Sequence, residues 1–261
     1  MGGARTLVIG IVNVTPDSFS DGGRWLDPAA AIGHARQLMA EGAGMVDVGA
    51  ESTRPGFEPT PADEQLRRLR DVLPGLRDAG VPFSVDTRSA AVAQAAVAAG
   101  ACMVNDVSGG THDPEMLGLV AGLGVDYVCQ LWGRDAQIPV RDQLVARLDA
   151  CLGAGIEREH IVLDPGLGFG QDPQDDWRAL ANIDDVTKLG QRVLVGASRK
   201  RFLATPGDDA GMREDAGVDV SAWCAQHGVW AVRTHTVAAH RRAIDVISRL
   251  MESRAQGDSG K

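Results

Sequence analysis

The chain has 261 residues, with 26 basic and 35 acidic side chains, a net charge of −9 and few aromatics. That length allows one large α/β core of Val, Leu, Ile and Ala. The acidic surplus argues against a general nucleic-acid binder, which normally presents a basic face. The four cysteines (Cys102, Cys129, Cys151 and Cys224) show no paired spacing and read as small buried hydrophobes, so a reduced, cytoplasmic protein is expected.

The pattern predicts a first strand over Leu7–Val12, too short for a secretory signal, followed by the long polar segment Asn13–Gly23. Asp27 and Pro28 open a helix running to about Glu41, and Met45–Val48 is a second strand. Glu51–Thr60 is a second loop and Pro61–Asp78 a helix. Phe83–Asp86, Met103–Asp106 and Asp126–Leu131 are strands three to five, with helices over Ala90–Ala99, about Pro114–Leu123 and Val140–Ala154. Ile161–Leu163 is strand six, leading into the glycine-rich Pro165–Gly170, and Val193–Gly196 is strand seven. Helical stretches around Arg199–Ala204 and Met212–Gln226 precede strand eight, Val229–Arg233. A closing helix spans Val237–Glu252, and the tail from Ser253 is expected to fray.

Strand ends recur about every twenty to nearly forty residues, the spacing of right-handed βαβ crossovers. The first turn lacks the G-x-G-x-x-G of a doubly wound sheet. A single (β/α)8 TIM barrel over 1–261 is the expected fold. In such a barrel the C-terminal strand ends converge on one mouth, where chemistry is found. Here those ends carry Asn13, Asp86, Asn105, Asp164, Ser198, Arg233 and His235. Asp106 reads as a loop cap. Asn13–Gly23 exceeds the usual βα turn of 2–6 residues, and Phe19 within it suggests a lid that excludes water.

Asn13-Val14-Thr15-Pro16-Asp17-Ser18-Phe19-Ser20-Asp21-Gly22-Gly23 and Gly49-Ala50-Glu51-Ser52-Thr53-Arg54-Pro55-Gly56 together resemble the two signature loops of the dihydropteroate synthase family. The resemblance continues in order through Ser84-Val85-Asp86-Thr87, Val104–Gly110, Leu163–Gly170 and Val195–Lys200, and ends at Arg233-Thr234-His235. It implies condensation of 6-hydroxymethyl-7,8-dihydropterin pyrophosphate with p-aminobenzoate, releasing pyrophosphate. By this resemblance Asp86, Asn105, Asp164, Phe169, Gly196 and Lys200 bind the pterin, and Phe19, Thr53, Arg54, Pro55 and Arg201 surround p-aminobenzoate. Asn13, Thr53, Arg233 and His235 take the diphosphate, Asn13 also helping to hold Mg²⁺, and Asp86, Lys200 and Arg233 are the catalytic set. The p-aminobenzoate carboxylate is expected at a helix start near Ser198–Arg201. The partners implied are small molecules, with no nucleic acid or membrane, and a homodimer formed through the closing helices.

By residue type the assignments are reasonable. A carboxylate at a strand end can take an amino group and a ring N–H together, Asn offers both a donor and an acceptor, and Mg²⁺ prefers oxygen ligands. Lys200 is one of only three lysines in the chain. The sequence departs from the family pattern at Ala50 for a glycine, Gln171 for a lysine, Asp175-Asp176-Trp177 for a His-Asn-aromatic run, and Cys129-Gln130-Leu131-Trp132 for a Met-His pair. Those departures keep open a family paralogue that binds pterin without turnover. A methyltransferase pterin domain, the second alternative, needs no diphosphate site, so Thr53-Arg54-Pro55, Lys200 and Arg233 with His235 speak against it.

Overall fold

Strands of four to seven residues rich in Val, Ile and Leu, each followed by helix, have both faces to bury, and closing into a ring achieves this. In the computed structural model, described for residues 5–15, 27–51, 59–169, 172–204 and 210–258, eight parallel strands form a closed barrel in chain order. They are β1 (Leu7–Asn13), β2 (Met45–Gly49), β3 (Phe83–Asp86), β4 (Met103–Asp106), β5 (Asp126–Gln130), β6 (Ile161–Asp164), β7 (Arg192–Val195) and β8 (Ala231–Thr234).

The helices are α1 (Pro28–Ala40), α2 (Ala62–Leu69), α3 (Val72–Asp78), α4 (Ala90–Ala99), α5 (Met116–Leu123), α6 (Val140–Gly153), α7 (Pro173–Ala181), α8 (Ile183–Thr187), α9 (Ala210–Gln226) and α10 (Val237–Asp258). Asp27 caps α1 as expected, accepting from the Ala29 N–H at 3.1 Å with Pro28 in the first turn.

Alternation along each strand sorts the side chains. Ile9, Met45, Met103, Val128, Val162, Leu194 and Ala231 point inward and form their own apolar plug. Their neighbours, such as Val8, Val46, Val104, Leu163 and Val232, point outward and join the larger core beneath the helices. Moving two residues toward the C-terminal end from the plug keeps the inward direction. Asp47, Asn105, Gln130, Asp164 and Arg233 are therefore the next inward layer, immediately above the plug.

Several expectations need correction. The single helix expected over Pro61–Asp78 breaks at Arg70–Asp71 into α2 and α3. Pro74 explains this: it has no N–H for the Arg70 carbonyl four residues back, and its ring crowds that carbonyl. The segment between strands six and seven, where the sequence pattern sets no helix bounds, holds α7 and α8. Asp172 caps α7, accepting from the Gln174 N–H at 2.9 Å ahead of Pro173. The helical stretch expected at Arg199–Ala204 is only a short 3₁₀ turn, Arg201–Leu203. The tail does not fray at Ser253, because α10 continues to Asp258. Cys102 is exposed, while Cys129, Cys151 and Cys224 are buried as expected. Cys102 lies just before β4, its thiol donating to the Phe83 carbonyl at 3.4 Å.

Candidate active site

Buried charges need partners, and the inward layer supplies them across the barrel. Asp47, 1% exposed, accepts from Ser84 Oγ at 2.5 Å, Asn105 Nδ2 at 2.8 Å and Arg233 Nε at 2.5 Å. The other face of the Arg233 guanidinium donates from Nη2 to Asp86 Oδ2 at 2.7 Å. One arginine on β8 thus ties β2 and β3 together. Asp47 and Ser84 were not foreseen as part of the site. Their signal was parity, since each lies two residues before an inward position at its strand end.

Asp164, on β6, is also buried, and its Oδ1 accepts from the Gly166 N–H at 2.7 Å. The glycine-rich segment then folds back tightly. A Cβ on Gly166, at φ 68°, would lie 1.9 Å from the Leu131 carbonyl oxygen, so only glycine fits there. Gly168, at φ 77°, likewise makes room for the Lys200 stem. Lys200 Nζ donates to the Leu167 carbonyl and lies 4.3 Å from the centre of the Phe169 ring. Phe169 packs against Trp132 at 4.9 Å between ring centres, and Arg88 lies over the Trp132 ring at 5.6 Å. The departure in strand five thus brings an aromatic wall to the mouth. Asp176 is accounted for as well. It accepts from the Gly168 N–H at 3.0 Å and from the buried Arg134, and so clamps the segment that carries Phe169.

This crowding shifts proton affinities. Burial pushes the Asp86 carboxyl up to about 7 against the pull of Arg233, with Asp47 adding to the rise. Burial pushes Asp164 up to about 6, opposed by Lys200. Burial pushes Lys200 down to about 8, opposed by Asp164. All three are poised to change charge near neutrality, a property that clusters at functional sites.

Some polar atoms in this layer have no partner. Asp86 Oδ1, Asn105 Oδ1 and Gln130 Nε2 are buried and make no hydrogen bond. Buried polar groups are normally satisfied, so orphans in one inward-facing layer are what a polar ligand would complete.

At the β1–β8 side of the mouth lies a cleft of about 420 Å³ whose lining includes Asn13, His34, Arg199, His235 and Arg242. His235 bonds through Nδ1 to Ser198 Oγ at 2.9 Å, and Ser198 Oγ donates to Glu214 on α9 at 3.0 Å. Glu214 also accepts from Arg199 Nε at 3.0 Å and from His240, Thr234 and Thr236. Burial raises its carboxyl, but His240, Thr236 and Ser198 outweigh this and hold it well below the usual carboxylate range. Arg199 adopts φ 59°, a left-handed conformation that this network sustains.

The structure therefore brings Asp86, Asn105, Asp164, Lys200 and Phe169 into one cup, with Gly196 opening beside Arg233 and Asn13 and His235 at the adjacent lip. Arg233 bonds two carboxylates of the cup floor, Asp47 and Asp86. Arg201 is exposed on the rim in a short 3₁₀ turn, so the helix start expected there for a carboxylate is absent. Phe19, Thr53, Arg54, Pro55 and Gln171 lie outside the described residues. Ala50 is fully buried in the outer core, and its carbonyl accepts from Arg68 at 2.9 Å. Asp106 is a cap, accepting from Ser108, the Gly110 N–H and the Tyr127 hydroxyl.

Comparison with known proteins agrees with this arrangement. The sequence profile of the family described as pterin binding enzyme matches residues 9–235. A dihydropteroate synthase from Mycobacterium leprae is 42% identical over 97% of this chain and 96% of its own length. A Xanthomonas albilineans dihydropteroate synthase solved with 4-aminobenzoic acid superposes with a TM-score of 0.88 at 40% identity, covering 95% of this chain and 94% of the other. One from Anaplasma phagocytophilum, solved with 6-hydroxymethylpterin-monophosphate, gives 0.84 at 36% identity over 95% and 100%. The match spans the barrel and every strand end that contributes to the cup, and the chain belongs to the dihydropteroate synthase family of pterin-binding enzymes.

Proposed function

We propose that this chain is an enzyme that joins 6-hydroxymethyl-7,8-dihydropterin pyrophosphate to p-aminobenzoate, giving 7,8-dihydropteroate and pyrophosphate. The observation that carries this reading is the cup itself. A buried carboxylate, a carboxamide with a free acceptor and an ammonium gather at the strand ends of one barrel mouth, in a chain akin to dihydropteroate synthases along nearly its whole length.

Asp164 and Asn105 hold the amino and N–H edge of the ring, and Lys200 donates to its acceptor side. Phe169 covers one face. The reacting carbon loses its C–O bond, the electron pair leaving with pyrophosphate, and the pterin is held as a cation. Asp86 faces that charge, and its uncommitted Oδ1 is the acceptor nearest to hand. The p-aminobenzoate nitrogen is already neutral, attacks the carbon and then sheds its proton. Fixed charges act strongly here because water is kept out.

The diphosphate takes the lip, with His235 and Asn13, and Arg233 turns toward it from its carboxylate partners. Asn13 would offer an amide oxygen to Mg²⁺, an ion that prefers oxygen ligands. When bound, the ion draws negative charge off the leaving diphosphate. Among the described residues the one cluster of three acidic or histidine ligands, Glu157, Glu159 and His160, precedes β6 at the opposite end of the barrel and is no rival. We assign p-aminobenzoate to the rim formed by Arg201 and the two loops that carry Phe19, Thr53, Arg54 and Pro55. We also infer a homodimer through α9 and α10, whose exposed Trp223, Val246 and Leu250 offer an apolar face. No helix of the described residues is long and apolar enough to cross a membrane. The expectation of a cytoplasmic protein rests on the sequence.

A coupled pyrophosphate-release assay tests the reading. Release that requires the pterin substrate, p-aminobenzoate and magnesium together is the expected result. Release without p-aminobenzoate, or none at all, refutes it.

A further inference from the structure

The strongest unexplained feature of the cup is Gln130. It is the last residue of β5 and lies on the inward face, two residues beyond Val128 of the apolar plug. Its Cα pairs in register with Asp164 on β6, while on the other side Asn105 of β4 pairs with Val128. Gln130 is thus held between the two residues assigned to the ring. It is 5% exposed, and its Nε2 has no hydrogen-bond partner.

The pairing that fails to form is informative. Asn105 Nδ2 is committed to Asp47 at 2.8 Å, which leaves Oδ1 as a buried acceptor without a donor. Gln130 Nε2 is a buried donor without an acceptor on the neighbouring strand, yet the two do not bond each other. Asp164 Oδ1, on the strand at the other side, is engaged by the Gly166 N–H. A donor and an acceptor that ignore each other in one buried layer are both presented to a third body. Asp86 Oδ1 is a further acceptor in the same state, so Gln130 supplies the unpaired donor among these strand-end residues.

Resting on the reading of this cup as a pterin site, we propose that Gln130 is a specificity-determining residue of the ring pocket. Its side-chain N–H donates to an acceptor atom of the heterocycle, a carbonyl oxygen or an unprotonated ring nitrogen. A leucine or methionine at this position would pack against the ring without choosing among ring edges. A buried amide donor rejects any ring that presents an N–H there, because the amide is then left unpaired. The same amide burdens the free protein, since an unsatisfied buried donor carries its full desolvation penalty.

Binding and stability therefore move in opposite directions. Calorimetric titration of 6-hydroxymethylpterin into the wild type, Gln130→Leu and Gln130→Met is the test, with thermal melting of each free protein. Both variants are expected to bind the ring about tenfold more weakly, the worth of one hydrogen bond, and to melt no lower than the wild type. Gln130→Glu, which turns the donor into a second acceptor beside Asp164, is expected to bind more weakly still. Unchanged or tighter binding by Gln130→Met overturns the proposal while leaving the ring site intact. Failure of the wild type to bind the pterin overturns the reading of the cup, and the proposal with it.

Discussion

The barrel pairs charges at both ends, and the two clusters treat their partners in opposite ways. At the N-terminal end Asp126 of β5 receives the Arg192 guanidinium through two bonds of 2.7 Å, with His160 at 3.0 Å. Arg192 also donates to the Glu159 carbonyl at 2.7 Å and lies 4.9 Å over the Trp230 ring. Neither side chain has an unpaired buried atom. At the C-terminal end Arg233 is shared between Asp47 and Asp86, and Asp86, Asn105 and Gln130 each keep an orphan atom. Charges that are closed on one another hold a fold together; charges left partly open are available to bind.

The hardest test of this contrast is Arg233→Ala. Its loss leaves Asp47 and Asp86 facing each other without a counter-charge, and breaking a buried pair in this way costs about 3–5 kcal/mol. Turnover is expected to vanish along with much of the stability. Urea unfolding beside the pyrophosphate assay checks both, and unaltered stability would show that the two carboxylates do not depend on this guanidinium.

Asp164→Asn should separate stability from activity. Asparagine still accepts from the Gly166 N–H but removes a buried charge, so the fold is retained or gains slightly. A lost charge-assisted bond to the ring is expected to lower kcat/KM by about 10–100-fold. Steady-state kinetics with a melting curve on the same sample decides it. A large loss of stability would mean that Asp164 is structural.

How far the sequence alone revealed these ends depended on what kind of fact was needed. Asp86, Asn105 and Asp164 were legible because a parallel barrel gathers its strand ends whatever their distance along the chain, whereas Lys200 and Phe169 were legible through the resemblance to dihydropteroate synthases. Two local signals went unread: Asp172-Pro173, which starts α7, and Pro74, which breaks α2 from α3. What stayed hidden is set by distances across the barrel. Nothing in the local pattern says that Arg233 turns down onto Asp47 and Asp86, or that the amides of Asn105 and Gln130 fail to meet. Nor does any motif show that Glu214 reaches His235 through Ser198. Those contacts belong to side chains on different strands and loops, which only the closed ring brings together.

The two ends should also answer pH in opposite directions. In the folded state Asp86 and Asp164 titrate near 7 and 6, above the ordinary 3.8, so between about pH 4 and 7 the folded chain binds protons that the unfolded chain has released. Their contribution is fully present below pH 4 and is lost as pH rises through 6 and 7. At Asp126 burial raises the carboxyl, but Arg192 and His160 outweigh it, so its contribution is present above the ordinary carboxylate range and fades as pH falls below it. Unfolding free energies measured from pH 4 to 8 should therefore decline less steeply in Asp86→Asn than in the wild type. Identical slopes would remove Asp86 from the account.

Arg192→Ala is expected to have the smallest effect. Its pair with Asp126 is roughly 30% exposed on both sides, and solvent screening limits such a bond to about 1 kcal/mol even with two-point geometry. The substitution frees Asp126 and uncovers one face of Trp230, both at the end of the barrel remote from the cup. Because the apolar plug of Ile9, Met45, Met103, Val128, Val162, Leu194 and Ala231 separates this end from the polar layer above, the loss should not travel through the barrel. Melting is expected to fall by a few degrees while kcat and KM stay at wild-type values. A fall in kcat without a change in KM would show that the plug transmits strain from one end to the other, and that the closed and open ends are not independent.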